Sequence, residues 1–309
     1  MAERLEEILT KGYGVWKSNP VLAAPPILNA VAVILLAVLA AIAALVGFII
    51  LQAASPSLIT PSGYNTTAIV FVVLLVLAAI ALFIPAVIVI GAFFTSGAIG
   101  MSMTALETGK AKIEDMMEYG WKKFMQVAYA SLLILLLHLA GLLFLIPGAA
   151  VLLTGIINVG ASLLILGLVA MVIYGFVLSL LLSITPYVIV AGDLGAMEGL
   201  AESYRTVMRN KLSTVLLFFT VSGVGMLLGL VLGVFTSFVE IMPILGALVS
   251  LMISFCYAVF SLAVLTPIFT MWWTAYSMDR ITPGRSRPFQ RAPRPRNREQ
   301  PSKRPDVYM

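Results

Sequence analysis

His138, the only histidine of the chain, is the one residue that could carry acid–base chemistry inside a long apolar stretch, LILLLHLAGLL. An imidazole changes its charge near neutral pH, and an ionisable group at membrane depth is by default a functional candidate. The same stretch contains no carboxylate that could pair with it. His138 is therefore a candidate intramembrane polar site with two interpretations. The missing partner favours a neutral histidine bonded to a neighbouring helix, and the alternative is a proton or ligand site.

The remaining residue types give no pattern of a catalytic, metal or cofactor site. A metal site needs several closely placed ligands, and the chain has one histidine and one cysteine, Cys256. That cysteine lies in an apolar run, where it is expected to pack as a small hydrophobic residue. We therefore predict no catalytic residue, no metal site and no cofactor, and we expect that the protein is not an enzyme.

Three prolines lie inside apolar runs that are long enough to cross a membrane, namely Pro85, Pro186 and Pro267. Proline removes a backbone hydrogen-bond donor and crowds the preceding turn of a helix. Sharp kinks in helices most often occur at proline. The sequence therefore predicts a helix kink at each of the three positions.

A regular glycine pattern marks one of the later apolar runs. Gly225, Gly229 and Gly233 recur every four residues, so a helix would place all three on one face. Small residues at this spacing allow two membrane helices to approach closely. The pattern predicts a helix-packing seam, and its partner is either another span of the same chain or a second copy in a homo-oligomer.

Three charged islands interrupt the apolar sequence, at residues 5–17, 113–123 and 194–211, and each has the pattern of an amphipathic helix. In the third island the acids come first and the bases last, which complements the helix dipole. Asp193, directly before that island, is predicted to be its N-cap. The basic residues expected at the membrane surface are Lys17, Lys122, Lys123, Arg205, Arg209 and Lys211.

Composition places the chain among polytopic membrane proteins. Of its 309 residues, 61% are hydrophobic and 11% are charged, whereas soluble domains carry about 25% charged residues. A span needs about 20 apolar residues, so we predict an all-α transmembrane helix bundle that fills residues 1–279. The second span is long enough to be either one kinked helix or a span with a separate interfacial piece. The six spans are predicted near residues 27–51, 68–106, 124–147, 160–190, 213–238 and 244–278.

The basic residues predict the orientation of these spans. Of the nineteen Lys and Arg residues, three precede the first span, four lie between the second and third, three between the fourth and fifth, and nine after the sixth. By the positive-inside rule this side is cytoplasmic. We expect a cell-membrane protein with both termini in the cytoplasm, built as three hairpins that each follow a cytoplasmic amphipathic interfacial helix. The spacing also predicts a threefold tandem repeat, with coincidental hairpin spacing as the alternative.

The last residues, 280–309, form a basic tail with nine bases, two acids and six prolines. Such a segment cannot bury a core, and we expect it to be disordered. A cytoplasmic cluster of this kind is attracted to anionic lipid headgroups, although it could equally serve only to set the topology. Nucleic acid is not an expected partner, because the tail lacks interleaved aromatic residues for base stacking.

Three stretches carry a family resemblance. They read YGVWKSNPVLAAPPIL, GKAKIEDMMEYGWKKF and PYVIVAGDLGAMEGLAESYRTVMRNKLSTVLLFF. With them, residues 1–280 resemble an uncharacterised prokaryotic family of six-span membrane proteins. That family is similar to the membrane domain that some glycerophosphodiester phosphodiesterases carry ahead of their catalytic barrel. The chain has no soluble stretch long enough for such a barrel, so the resemblance implies a fold and a cellular location without an activity.

Three classes of function remain open on the sequence. The first is a non-enzymatic membrane scaffold that binds lipids or a membrane-protein partner through its surface helices. The second is a transporter of small solutes or lipids, which would need polar groups that converge near the bilayer midplane. The third is an accessory to phospholipid head-group metabolism, which only the family resemblance suggests. The surface helices favour the scaffold.

Overall fold

A computed structural model describes residues 2–54, 66–239 and 243–281 of the chain. These residues are almost entirely helical and contain no β-strand. Short 3-10 helices at Pro20–Ala23 and Gly141–Leu145 and a π-helical turn at Ser261–Leu265 join some of the α-helices. The α-helices are α1 (Ala2–Ser18), α2 (Ala24–Ala54), α3 (Thr66–Thr108), α4 (Ile113–Ala140), α5 (Ile146–Leu153), α6 (Ile157–Leu182), α7 (Thr185–Ala191), α8 (Ala196–Arg209), α9 (Lys211–Val239), α10 (Pro243–Phe260) and α11 (Thr266–Ile281).

Six helical stretches of the described residues are long and apolar enough to cross a membrane. The prediction of an all-α, multi-pass protein with six candidate spans is confirmed. α3 is a single helix of 43 residues, so it contains no separate interfacial piece. Apart from its first two positions, the basic tail lies outside the described residues. The six stretches are Pro20–Ile50, Val73–Thr108, Ile113–Leu153, Ile157–Ala191, Lys211–Val239 and Leu245–Arg280.

Two of the three prolines coincide with an irregularity in their spans. α3 continues through Pro85 without interruption. The fourth span instead breaks before Pro186. There α6 ends at Leu182 and α7 begins at Thr185. Proline has no N–H to continue the helical hydrogen-bond pattern, and this accounts for the break.

The sixth span changes its helical winding before Pro267. The residues Ser261–Leu265 form a π-helical turn between α10 and α11. The hydroxyl of Thr266 donates a hydrogen bond to the Ser261 carbonyl at 3.0 Å. The same carbonyl also accepts the Thr266 backbone N–H, so both polar groups of Thr266 bond the start of the π-helical turn.

The helix segments that follow the three prolines pack together at one end of the bundle. α3, α7 and α11 contact one another pairwise, and the buried residues of α3 all follow Pro85. Around them, α1 packs against α11, the first turns of α4 pack against α3, and α8 packs against α7. α1, α4 and α8 therefore each pack against one of the three central segments. We call this region the packed end.

Three hydrophobic clusters hold the packed end together. One joins α3, α4, α7 and the start of α8, and another joins α7, α8, α9 and α11. The third joins the Pro20–Ala23 turn to α3, α4 and α11. The predicted surface helix at residues 113–123 belongs to this core as well. It is not a separate element, because α4 runs unbroken from Ile113 to Ala140.

We call the region away from the packed end the open end. There α5 packs closely on α6, whereas α2, α9 and α10 expose most of their side chains. α2 exposes most of its side chains between Ile34 and Ile50, and α10 packs on α9 and on the π-helical turn. A Cβ atom added at Gly225, Gly229 or Gly233 would meet no atom within 4 Å. The predicted glycine seam therefore has no close partner among the described residues of its own chain, and its use by a second copy stays a prediction.

Candidate membrane-interface site on helix α8

Helix α8 has three different faces along its 14 residues. The first face is buried and consists of small residues and one valine. Gly199 has to be small because its position lies directly against the Ile189 side chain of α7. This face attaches α8 to the packed end. Its buried members are Ala196, Gly199, Ser203, Thr206 and Val207.

The second face of α8 is apolar and exposed. Its residues follow the spacing i, i+4, i+7 and i+11, which keeps them on one side of a helix, and they are Met197, Ala201, Tyr204 and Met208. The Met197 side chain is 63% exposed and that of Tyr204 is 49% exposed. Exposed apolar surface resumes at the start of α9, at Leu212, Leu216 and Phe219. We call the four α8 residues the apolar stripe.

The third face carries the charges of α8, which are Glu198, Glu202, Arg205 and Arg209. Each directly follows a residue of the apolar stripe in the sequence, so the charges run along one flank of that stripe. Arg205 Nη1 lies 3.6 Å from the Glu202 carboxylate. A helix with one face on protein, one apolar and one charged suits a position along the boundary between lipid and water.

Asp193 connects the turn before α8 to helix α4. Its Oδ1 lies 2.7 Å from the Lys123 Nζ and 3.5 Å from the Lys122 Nζ. The Lys123 side chain is only 8% exposed, and a buried ammonium group needs a charged partner. One prediction was wrong here, because Asp193 does not cap α8, whose N-cap is Gly195. Lys123, predicted as an interfacial base, is buried in its ion pair with Asp193.

The surroundings of Asp193 favour its charged form. The hydrogen bond from Lys123 lowers the pKa of the Asp193 carboxyl, partial burial opposes this, and the charges of both lysines add to the lowering. The backbone of Asp193 has a φ of 53°, a left-handed conformation that few residues other than glycine adopt. The ion pair and this turn together fix the direction in which the chain enters α8.

The end of α8 is tied to the last helix of the chain. Asn210 Oδ1 accepts a hydrogen bond from Arg280 Nη1 at 3.0 Å. Its Nδ2 donates to the Thr206 carbonyl, four residues earlier, at 3.1 Å. α8 is therefore held at both ends as well as along its buried face.

Asn19 likewise ties the end of α1 to another part of the chain, the turn between α3 and α4. Its Nδ2 donates to the Val15 carbonyl, again four residues earlier, at 2.9 Å and to the Gly109 carbonyl at 3.1 Å. Its Oδ1 accepts from the Ala111 N–H at 2.9 Å. Asn19 and Asn210 both follow a tyrosine by six residues, at Tyr13 and Tyr204. Sequence analysis missed both asparagines, although this shared spacing could have indicated them.

Helix α1 differs from α8 because its apolar side lies inside the protein. The Trp272 indole Nε1 donates to the Leu9 carbonyl at 3.0 Å. A Cβ atom at Gly12 would lie 2.7 Å from Cδ1 of the same indole. Apolar residues of α1 also pack against two of the hydrophobic clusters. Its exposed residues are mostly polar, and they are Glu6, Glu7, Thr10, Lys11, Tyr13, Gly14, Lys17 and Ser18.

His138 lies between α4 and α6, away from α8. Its Nδ1 is 2.8 Å from the Ile134 carbonyl oxygen and its Nε2 is 3.0 Å from the Ser179 hydroxyl. A carbonyl can only accept, so Nδ1 carries the hydrogen of the first bond. In the second bond either Nε2 or the Ser179 hydroxyl is the donor. The Tyr174 hydroxyl adds a second link between the two helices by donating to the Leu137 carbonyl at 2.9 Å. His138 is thus bonded to the neighbouring helix α6 through Ser179, and its role as a proton or ligand site stays a prediction.

The other predicted site residues do not converge on one point. Lys17, Arg205, Arg209 and Lys211 are exposed at the packed end, while the glycine seam lies at the open end. No group of three or more His, Cys, Asp or Glu side chains in the described ranges is arranged to hold a metal ion. Sequence analysis missed the buried face of α8, although Gly199, Ser203 and Thr206 have the spacing of a small-residue packing face.

These observations define an integral, multi-pass membrane protein of the all-helical class. Residues 5–272 match the family model described as "Domain of unknown function (DUF7847)", and the chain belongs to this family. Neither a curated protein nor a solved structure matches it. The similarity to the membrane domain of glycerophosphodiester phosphodiesterases stays a prediction.

Proposed function

We propose that this protein is a non-enzymatic scaffold of the cell membrane that binds lipid headgroups through α8. The observation that supports this most is the exposed apolar stripe of α8 beside a flank of charges. The stripe gives α8 a surface that can enter the boundary between headgroups and acyl chains. Its tyrosine has an apolar ring and a polar hydroxyl, a combination that suits the membrane interface.

The packed end is proposed to face the cytoplasm. The described lysines and arginines lie at this end, in α1, the turn between α3 and α4, the first turns of α4, α8, the start of α9 and the end of α11. The positive-inside rule favours a cytoplasmic location for such residues. On this proposal both termini are cytoplasmic, and the chain forms three hairpins that each follow an amphipathic segment.

A cysteine-labelling experiment tests this orientation. The background is Cys256→Ser, and single cysteines replace Thr154, near the far end of α5, or Thr108, at the packed end. An impermeant thiol reagent added to intact cells should label the first variant and not the second. Labelling of both positions only after the cells are opened, or of Thr108→Cys in intact cells, contradicts the orientation.

The proposed lipid preference is for anionic headgroups. Arg205 and Arg209 lie beside the apolar stripe, and Lys211 follows them at the start of α9. Bases near an anionic membrane surface contribute about 1 kcal/mol each. The basic tail is proposed to add to this attraction from the same side. A membrane-protein partner or a second copy would bind such a scaffold elsewhere, and the glycine seam is the surface proposed for it.

Spin-labelled lipids test the headgroup preference directly. The measured quantity is the motionally restricted fraction of spin-labelled phosphatidylglycerol, compared with phosphatidylcholine, in vesicles that contain the protein. The double reversal Arg205→Glu and Arg209→Glu should reduce the preference for phosphatidylglycerol. The matched control is Lys11→Glu with Lys17→Glu on α1. Equal loss from both double variants, or no loss from the α8 variant, contradicts a lipid site on α8.

A further inference from the structure

The break in the fourth span lies directly beside the buried face of α8. α6 ends at Leu182, α7 begins at Thr185, and α8 packs against both helices. Ser203, which is fully buried on α8, donates its hydroxyl hydrogen to the Leu181 carbonyl at 3.0 Å. A side chain of the interface helix therefore satisfies a carbonyl at the interruption of a membrane span.

The same break contains a hydroxyl that has no partner. Thr185 is fully buried, and its Oγ1 makes no hydrogen bond within the part of the chain that the structure describes. A threonine in a regular helix commonly donates to the carbonyl four residues earlier, and for Thr185 that residue is Leu181. Two hydroxyls can therefore compete for one carbonyl, and Ser203 holds it in this structure.

We propose that the break between α6 and α7 is a two-state hinge, and that Ser203 couples the hinge to α8. In the state described here α8 lies against the break and Ser203 bonds the Leu181 carbonyl. When α7 and α8 shift together relative to α6, Ser203 leaves the Leu181 carbonyl, the Thr185 hydroxyl takes it over, and the span becomes a more regular helix. Ser203 is a positioning residue in this device. The inference rests on the proposed function, because lipid contact at α8 is what sets the hinge.

Two further contacts give α8 a rigid hold on α7. The Gly199 position lies directly against the Ile189 side chain, which leaves no space between the helices. The Leu194 N–H, in the turn between them, donates to the Ile189 carbonyl at 3.1 Å. A shift of α8 is therefore transmitted to α7 rather than absorbed at a loose interface, since closely packed groups do not deform continuously.

Hydrogen exchange of the full-length protein in lipid nanodiscs tests the coupling. The measured segment is residues 184–191, in phosphatidylcholine alone and with phosphatidylglycerol added. In the wild type, exchange of this segment should differ between the two discs by on the order of fivefold, the lower range of measured couplings between sites. Ser203→Ala should remove this lipid dependence. Thr185→Val, which lacks the competing donor, should exchange at the same rate in both discs.

Ser183→Ala is the matched control, because the Ser183 hydroxyl lies at the same break but donates to the Leu180 carbonyl of its own helix. It should keep the lipid dependence of the wild type. If Ser203→Ala does not fold, Ser203→Cys replaces it, since a thiol has similar size and is a weak donor. A Ser203→Ala protein that folds and responds to lipid as the wild type does would overturn the hinge.

Spin labels on single cysteines at Met197 and Tyr204 distinguish a failure of the hinge from a failure of the proposed function. If these labels contact lipid but the exchange of residues 184–191 in the wild type does not depend on lipid, the hinge is wrong and the proposed function stands. Absence of lipid contact at the labels contradicts the proposed function, and the lipid-set hinge with it.

Discussion

Helices α1 and α8 are both amphipathic and both belong to the packed end, but they use their apolar residues differently. α1 turns its apolar side inward, where Trp272 bonds the Leu9 carbonyl and lies against Gly12. α8 attaches through small residues and leaves Met197 and Tyr204 exposed. The difference shows that an amphipathic pattern alone does not reveal whether the apolar side meets protein or lipid. In α8 the small residues of a second face pack against the protein, and this leaves the apolar face exposed.

The largest expected effect is the loss of the contact between α1 and α11. Trp272→Ala removes a large ring and an indole hydrogen bond, so we expect the free energy of unfolding to fall by about 3 kcal/mol, as for other large aromatic truncations. The matched variant is Tyr204→Ala on α8, which should change it by less than about 0.5 kcal/mol. Thermal and denaturant unfolding in detergent measures both. Comparable losses in the two variants would show that α8 braces the bundle as α1 does.

A smaller loss of stability is expected at the ion pair that fixes the start of α8. Asp193→Asn leaves the buried Lys123 without its charged partner, and we expect a loss of about 1 kcal/mol at neutral pH, because Asp193 itself is largely exposed and solvent weakens the pair. The control is Glu202→Gln, which removes the exposed partner of Arg205 and should have almost no effect. A loss from the control as large as that from Asp193→Asn contradicts a special role for the pair.

The pH dependence of that pair has a definite sign. The pKa of Asp193 is lower in the folded protein than in the unfolded chain, where it is about 3.9. Its contribution to stability is therefore present above that unfolded value and is lost as the pH falls through the folded pKa. We expect the stability difference between the wild type and Asp193→Asn to shrink below about pH 4. A difference that stays constant in acid excludes the ion pair as its source.

The smallest effect on stability is expected from the apolar stripe. Met197→Ser with Tyr204→Ser should leave the free energy of unfolding nearly unchanged, since exposed positions rarely matter by more than about 0.5 kcal/mol. The same variant should weaken the restriction of spin-labelled lipid. The α1 counterpart is Ile8→Ser with Leu9→Ser, which should destabilise the protein. A loss of stability from the α8 pair without a loss from the α1 pair would contradict this difference between the two helices.

The six candidate spans were predictable because the apolar runs are long and the charges lie between them. The break before Pro186 could be expected from the missing N–H, but the continuity of α3 through Pro85 could not, since neighbouring contacts decide whether a proline interrupts a helix. The burial of Lys123 could not be predicted for a similar reason. Its partner Asp193 is distant in sequence, and only the packing of α4 against the turn before α8 brings them together.

The central claim is that the apolar stripe of α8 contacts lipid while its charged flank contacts water. Spin labels on single cysteines at Met197, Tyr204, Glu198 and Arg205, in a Cys256→Ser background in liposomes, test it by power saturation. The first two labels should be more accessible to oxygen than to a water-soluble nickel complex, and the other two should show the opposite. High nickel accessibility at all four positions would contradict this claim, because α8 would then lie in water.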